Sequence, residues 1–357
     1  MALKCCKLTP QICTLDSWNP YEEGYFVLDH LPPKQHMLRI SNILVSSIEG
    51  EFLTEASRKL RGLIIEKSSA LKYLFVTKNS TIEFITINDS QLNRMQFDRN
   101  DAVRSIYIQK SSLKEIPATV NNLKRLESLT IHEAYITVVN FNYFFGLASF
   151  KRLEVEVNSV SSLTGLFLLS NKTVLNTIKF RHNLLATFDF DQLKAYDQLE
   201  KLDISSNVLK SVAGNLTNSN LRNLFLGNNF LSVLDCCVWN EIGTLRALDI
   251  KHNQFRSVPS CLTIFPNVLL INLSFNRIEH VRMQDFKGLN KLHELNLAGN
   301  KITCFEFGND ITLPSLIHLQ LQKTCLCHVN GSEEAQQRMP QLNIYFYNII
   351  GELCNVC

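Results

Sequence analysis

Residues 268–302 read VLLINLSFNRIEHVRMQDFKGLNKLHELNLAGNKI and contain one pattern twice: apolar, x, x, apolar, x, apolar, x, x, Asn, x, Ile. Val268, Ile271, Leu273, Asn276 and Ile278 make the first copy. Leu292, Leu295, Leu297, Asn300 and Ile302 make the second, 24 residues on. The alternating apolar part has the period of a strand with one face buried. A lone strand of this kind cannot bury its apolar face. The unit must stack on copies of itself, and the chain is expected to be a solenoid.

The unit runs outward from this stretch. With the Asn position as marker, it falls at Ile43, Ser68, Ser90, Ser111, Ala134, Asn158, Asn183, Asn207, Asn229, Asn253, Asn276, Asn300 and Thr324, thirteen coils spaced 21 to 25 residues apart. From Asn158 to Asn300 every marker is Asn. The first five coils are degenerate at the marker but keep the apolar frame, as Val103, Ile106, Ile108, Leu113 and Ile116 show. At the marker the chain leaves the strand and turns, stranding backbone groups that the Asn amide can bond. Its partners are expected in its own coil and the next. Ser or Thr can do part of this; Ala134 and Ile43 cannot. Phe144 with Leu147 and Phe286 with Leu289 are expected to fill the convex half of the core. The short return path predicts extended or 3-10 segments with short helical turns.

Over residues 35–324 this pattern closely resembles the leucine-rich repeat family. The resemblance implies an α/β solenoid, a horseshoe with a parallel concave sheet of about thirteen strands and a mostly extended convex side. Residues 1–34 would form an N-terminal cap, 35–324 the repeats and 325–357 a cysteine-containing C-terminal cap. The period and the cysteine-bearing ends resemble the extracellular subclass, and in style the secreted mosquito leucine-rich immune proteins and Toll-type receptor ectodomains. That likeness implies a secreted protein recognising another protein in innate immunity, its partner a protein ligand, a complement-like thioester protein or another repeat protein. The chain departs from the long mosquito proteins in carrying no heptad region after Cys357. Two other readings stand beside it: the ectodomain of a membrane receptor, and an intracellular repeat scaffold.

Composition narrows the partners. Hydrophobic residues make up 45% of the chain, ample for a continuous core, and a net charge of +3 is too small to argue for nucleic acid. No run reaches the roughly 18 apolar residues of a membrane span. The start, MALKCCKLTP, lacks the apolar core of a secretory signal, so either a signal lies outside this chain or the protein stays in the cell. No phosphate loop, dinucleotide glycine fingerprint, HExxH or GxSxG is present, so no enzyme and no cofactor are expected.

Eleven cysteines group at the two ends and argue for an oxidising compartment. Cys5, Cys6 and Cys13 should supply one bridge, with the pairing open. Cys325, Cys327, Cys354 and Cys357 fit two disulfides or, less readily, a zinc site, and Cys304 offers a fifth sulfur nearby. Cys237 and Cys261 both lie eight residues after their markers, so stacking places them at disulfide distance. Cys236 then points away, either as a thiol that tethers a partner chain in a disulfide-linked dimer or as a buried inert one. Sequons stand at Asn79, Asn88, Asn171, Asn215, Asn272 and Asn330, with Asn88 and Asn272 on the concave columns.

The outward strand positions form a column that includes Tyr107, Glu154, Lys179, Asp203 and Phe225. Glu156 and Arg181 stand in the next column, and Arg152 opens the strand of Glu154. These residues are the candidate concave binding patch, with Tyr107 and Phe225 as exposed aromatic anchors. The alternating charges read equally as a cross-strand ion ladder that fixes register.

Overall fold

The computed structural model describes residues 2–5, 12–32, 36–165, 174–308, 312–324, 326, 329–330 and 332–345. Each coil contributes one short strand whose alternate residues are buried. In β3 (Met37–Ser41), Leu38 and Ile40 are enclosed, while Arg39 between them faces outward. The chain divides into two units, Met1–Asn183 and Leu184–Cys357.

In the first unit the strands follow in the order β1 (Ala2–Cys5), β2 (Cys13–Asp16), β3, β4 (Gly62–Ser68), β5 (Phe84–Ser90), β6 (Ser105–Gln109), β7 (Ser128–His132), β8 (Arg152–Glu156) and β9 (Thr177–Lys179). β1 is antiparallel to β2, and the others are parallel. The second unit carries β10 (Lys201–Asp203), β11 (Asn223–Phe225), β12 (Ala247–Asp249), β13 (Leu270–Asn272), β14 (Glu294–Asn296), β15 (His318–Gln320) and β16 (Asn343–Tyr345), all parallel. The thirteen expected strands are β3 to β15. The parallel pairing also continues to β2 and β16, and β2 belongs to a further coil with Trp18 at the marker, fully enclosed.

The marker asparagines hold each coil to the one before it, not the one after. Asn276 Oδ1 accepts the N–H of Phe255 at 3.2 Å, and its Nδ2 donates to the carbonyls of Ile250 (3.1 Å) and Leu273 (2.9 Å). Asn183 repeats this with Val160 N–H and Val155 O. The expected bonds to the next coil are made by the next coil's own asparagine. Ser68 does half the work, accepting the N–H of Ile43 at 3.0 Å.

The residue before each marker is left-handed. Ser17, Asn42, Lys67, Asp89, Lys110, Glu133, Val157, His182, Ser206, Asn228, His252, Phe275, Gly299 and Lys323 all have φ between 49° and 67°. This single inversion ends the strand and turns the chain toward its return path. Glycine is needed at Gly299 for a second reason: a Cβ there would stand 2.6 Å from the Phe275 ring, which stacks on His252 with ring centres 4.3 Å apart.

The return paths are short 3-10 turns and short lateral strands, as the coil length requires. Three of the 3-10 turns are capped by an Asx side chain: Asn140 to Asn142 N–H, Asp189 to Asp191 N–H and Asp235 to Cys237 N–H. Phe144, Leu147, Phe286 and Leu289 are buried as expected. Burying each such side chain contributes about 1.5–3 kcal/mol. Among the described residues no helix is long and apolar enough to cross a membrane.

Candidate functional site: the solvent face of the sheet

In the first unit the register stacks Thr86, Tyr107, Thr130, Glu154 and Lys179 in one outward column. Gln109, His132 and Glu156 form the column beside it. Lys179 Nζ lies 2.8 Å from Glu154 and 3.8 Å from Glu156, and Arg181 lies 3.9 Å from Glu156. Arg152 stands 3.8 Å from Glu154 on its own strand. The two glutamate side chains are only 13% exposed, so they are held rather than free in solvent.

Tyr107 is 36% exposed and its hydroxyl donates to Gln109 Oε1 at 3.0 Å. Gln109 Nε2 in turn donates to Glu133 at 3.0 Å, and His132 Nδ1 lies 3.2 Å from the same carboxylate. The Gln109 bond, ahead of the charges of Lys110 and His132, holds the Glu133 carboxyl below the usual glutamate range. Partial burial, and then Glu133, Glu154 and Glu156, push the Tyr107 hydroxyl up. Glu133 was not among the expected residues; it is the left-handed residue before Ala134, and strand alternation alone does not place it on this face.

In the second unit Asp203 and Phe225 are neighbours in register. Asp203 is only 7% exposed, and its Oδ1 accepts the N–H and hydroxyl of Ser205. Asp249, Asn272 and Asn296 do the same for the N–H groups of Lys251, Ser274 and Ala298. These outward Asx residues therefore close the strand ends. Phe225 is covered by the Lys201 ammonium, 5.1 Å from the ring centre.

Disulfides join Cys237 to Cys261 and Cys5 to Cys13. Cys236 is free and fully enclosed; burial and the nearby Asp235 push its thiol up to about 12. Its enclosure agrees with the buried-thiol reading of the two. Cys304 is free and partly exposed. Cys6, Cys325, Cys327, Cys354, Cys357 and Asn171 lie outside the described residues, and the side chain of Asn330 likewise. Of the other sequons, Asn79 is exposed, whereas Asn88, Asn215 and Asn272 are half-buried.

A family profile described as leucine rich repeat matches residues 243–302 and 266–326. Nephrocan of Mus musculus is 27% identical over 179 residues, which cover 49% of this chain and 33% of nephrocan. Oligodendrocyte-myelin glycoprotein of Homo sapiens is 33% identical over 135 residues, covering 37% and 29%. Lumican of Rattus norvegicus is 25% identical over 280 residues, covering 71% and 69%. The chain thus spans about a third or less of the first two relatives. Among solved structures, a leucine-rich repeat protein of Leptospira interrogans superposes with a TM-score of 0.56 at 15% identity, covering 87% of this chain and 90% of that one. The repeat domain of FLRT2, in an octameric complex with latrophilin 3 and Unc5D, gives 0.54 at 16% identity, covering 89% and 85%. The fold is that of a leucine-rich repeat solenoid, and the matched profile with these relatives supports the leucine-rich repeat family for this chain.

Proposed function

We propose that the chain is a secreted, non-enzymatic binding protein whose partner, another protein, docks on the solvent face of the first unit around Tyr107, Glu133, Glu156, Lys179 and Arg181. The observation that carries this reading is the Tyr107 cluster: a half-exposed aromatic whose hydroxyl is already oriented by Gln109, ringed by charges fixed by their neighbours. An aromatic anchor inside a fixed polar rim costs little ordering on binding. The FLRT2 repeat domain, standing in a complex of several proteins, supports protein recognition as a use of this fold. The Cys5–Cys13 and Cys237–Cys261 bridges support an oxidising compartment.

The test places a photo-crosslinking amino acid at Tyr107, and separately at Val238 on the outer side, in chain exposed to its native extracellular fluid. A discrete adduct at Tyr107 that disappears with Lys179→Ala/Arg181→Ala supports the face. Equal adducts at both positions, or none at Tyr107, overturn it. Recognition in innate immunity rests on the likeness to insect immune repeat proteins. A complement-like thioester protein in the adduct supports it, and a matrix component removes it. If all cysteines alkylate without reductant, the secreted reading fails and the intracellular scaffold replaces it.

A further inference from the structure

In the second unit the edge where the chain leaves the sheet carries a surface that the repeat does not require. Each marker asparagine and the apolar residue two places on are buried, so the residue between them points outward. Main-chain bonds hold these outward residues in file. The N–H groups of Val208, Phe230, Gln254 and Arg277 donate to the carbonyls of Leu185, Leu209, Leu231 and Phe255, at distances between 2.8 and 3.1 Å. The file begins at Leu184 and ends at Lys301, with one residue from each of six coils.

One half of the file is apolar. Leu184 and Phe230 are 51% and 48% exposed, and Val208 between them is half-buried. Single exposed apolar residues are ordinary, but three stacked at the strand spacing make a continuous strip. The turn does not dictate it, since Ser112 and Ser159 hold the same place after their own markers in the first unit.

The other half is basic. Arg277 and Lys301 are exposed, and the outward residues two places further along the chain add Lys210 and Arg256, also exposed. Against these four cations the same two files hold one carboxylate, Glu279. Among the described residues none of the four makes an ion pair or a side-chain hydrogen bond. Lys251 and Arg282 of the same unit, by contrast, stand 3.5 Å from Asp249 and from Asp285. The edge thus offers unpaired positive charge beside an uncovered apolar strip.

We propose that this edge receives an extended segment of a protein partner, with apolar side chains toward one end and carboxylates toward the other. The apolar end covers Leu184, Val208 and Phe230, and the acidic end meets Arg277 and Lys301. A sulfated glycan would answer the cations alone and leave the strip in water. A second copy docked edge to edge would set cation against cation. Leu184 to Lys301 is five coil steps, about 24 Å at a strand spacing of about 4.8 Å, which about eight extended residues span. The Tyr107 face belongs to the first unit, and neither surface rests on the other.

The probe is a rhodamine-labelled Leu-Ser-Leu-Ser-Glu-Ser-Glu-Ser amide, titrated by polarisation into the full chain. Saturable binding is expected. Leu184→Ser/Phe230→Ser, which removes exposed apolar surface only, should weaken it about tenfold. Arg277→Ala/Lys301→Ala should weaken it about fivefold, and added salt should act in the same direction. Tyr107→Ala should leave it unchanged. Equal affinity for Ser-Ser-Ser-Ser-Glu-Ser-Glu-Ser overturns the proposal, because any polyanion would then suffice. Equal affinity for Leu-Ser-Leu-Ser-Lys-Ser-Lys-Ser, or no saturation at millimolar peptide, overturns it as well. So does self-association of the chain that Phe230→Ser abolishes, since a second copy would then fill the edge. If the serine variants do not fold, the three peptides against the unaltered chain decide.

Discussion

In seven successive coils the marker asparagine side chain carries at least three hydrogen bonds, as Asn158 and Asn276 show. In Asn276→Ala the N–H of Phe255 loses its partner inside a buried turn, while the carbonyls of Ile250 and Leu273 keep the amides of Asn253 and Asn300. A buried group left unpaired costs about 1–3 kcal/mol, so a loss of about 2 kcal/mol is expected in urea unfolding. Asn79→Ala, on an exposed turn, should cost under about 0.5 kcal/mol by the same measurement. The seven successive marker asparagines are legible from spacing alone. The left-handed residue before each of them is not, because its identity varies from Ser17 to Lys323 and a local backbone inversion has no apolar period. Val157 is the extreme case, a β-branched residue at φ 53°. Val157→Asn should raise stability by about 1 kcal/mol, read as a higher urea midpoint at unchanged slope.

The strands of the first unit are tied along their leading ends by a second device. Glu83 stands 3.8 Å from Arg61 and 3.2 Å from Arg104, and Glu127 stands 2.8 Å from Arg104 and 3.3 Å from Lys151. Bonds from Arg104 and then Lys151 hold the Glu127 carboxyl below the usual glutamate range. A depressed folded value means that the unfolded chain binds the proton first. The contribution is therefore complete above the ordinary glutamate pKa of about 4.3 and fades as pH falls through the folded value. Melting temperatures from pH 6 to pH 3 should fall less steeply in Glu127→Gln than in the unaltered chain, and high salt should shrink the difference. The central outward column was legible position by position, since alternation fixes the face of each residue. The burial of Asp203 was not, because its bond to Ser205 depends on a turn that periodicity does not describe.

In a linear array each coil contacts its neighbours, so a covalent link between coils acts on a stretch rather than a point. Cys237–Cys261 closes a loop of 24 residues across two coils of the second unit. Chain-entropy arguments give such a loop about 3 kcal/mol, so Cys237→Ser/Cys261→Ser should lower stability by about that much. Hydrogen exchange should locate the loss in residues 229–275, with the first unit unaffected. This bridge followed from equal offsets after two markers. The pairing of Cys5 with Cys13 did not, because it depends on β1 running antiparallel to β2, a reversal outside the repeat.

The direction of the asparagine bonds has a consequence for how the chain is made. Every marker amide reaches back to the coil before it, which has already left the ribosome when the asparagine emerges. Each new coil meets a finished template, but its own turn N–H waits for the asparagine of the coil that follows, as Phe255 waits for Asn276. Stalled chains shortened from the C-terminal end should therefore exchange the turn N–H of their last coil freely until the next asparagine emerges. Chains shortened from the N-terminal end begin with a coil whose amide keeps only the bonds within its own coil, and its Oδ1 loses its donor.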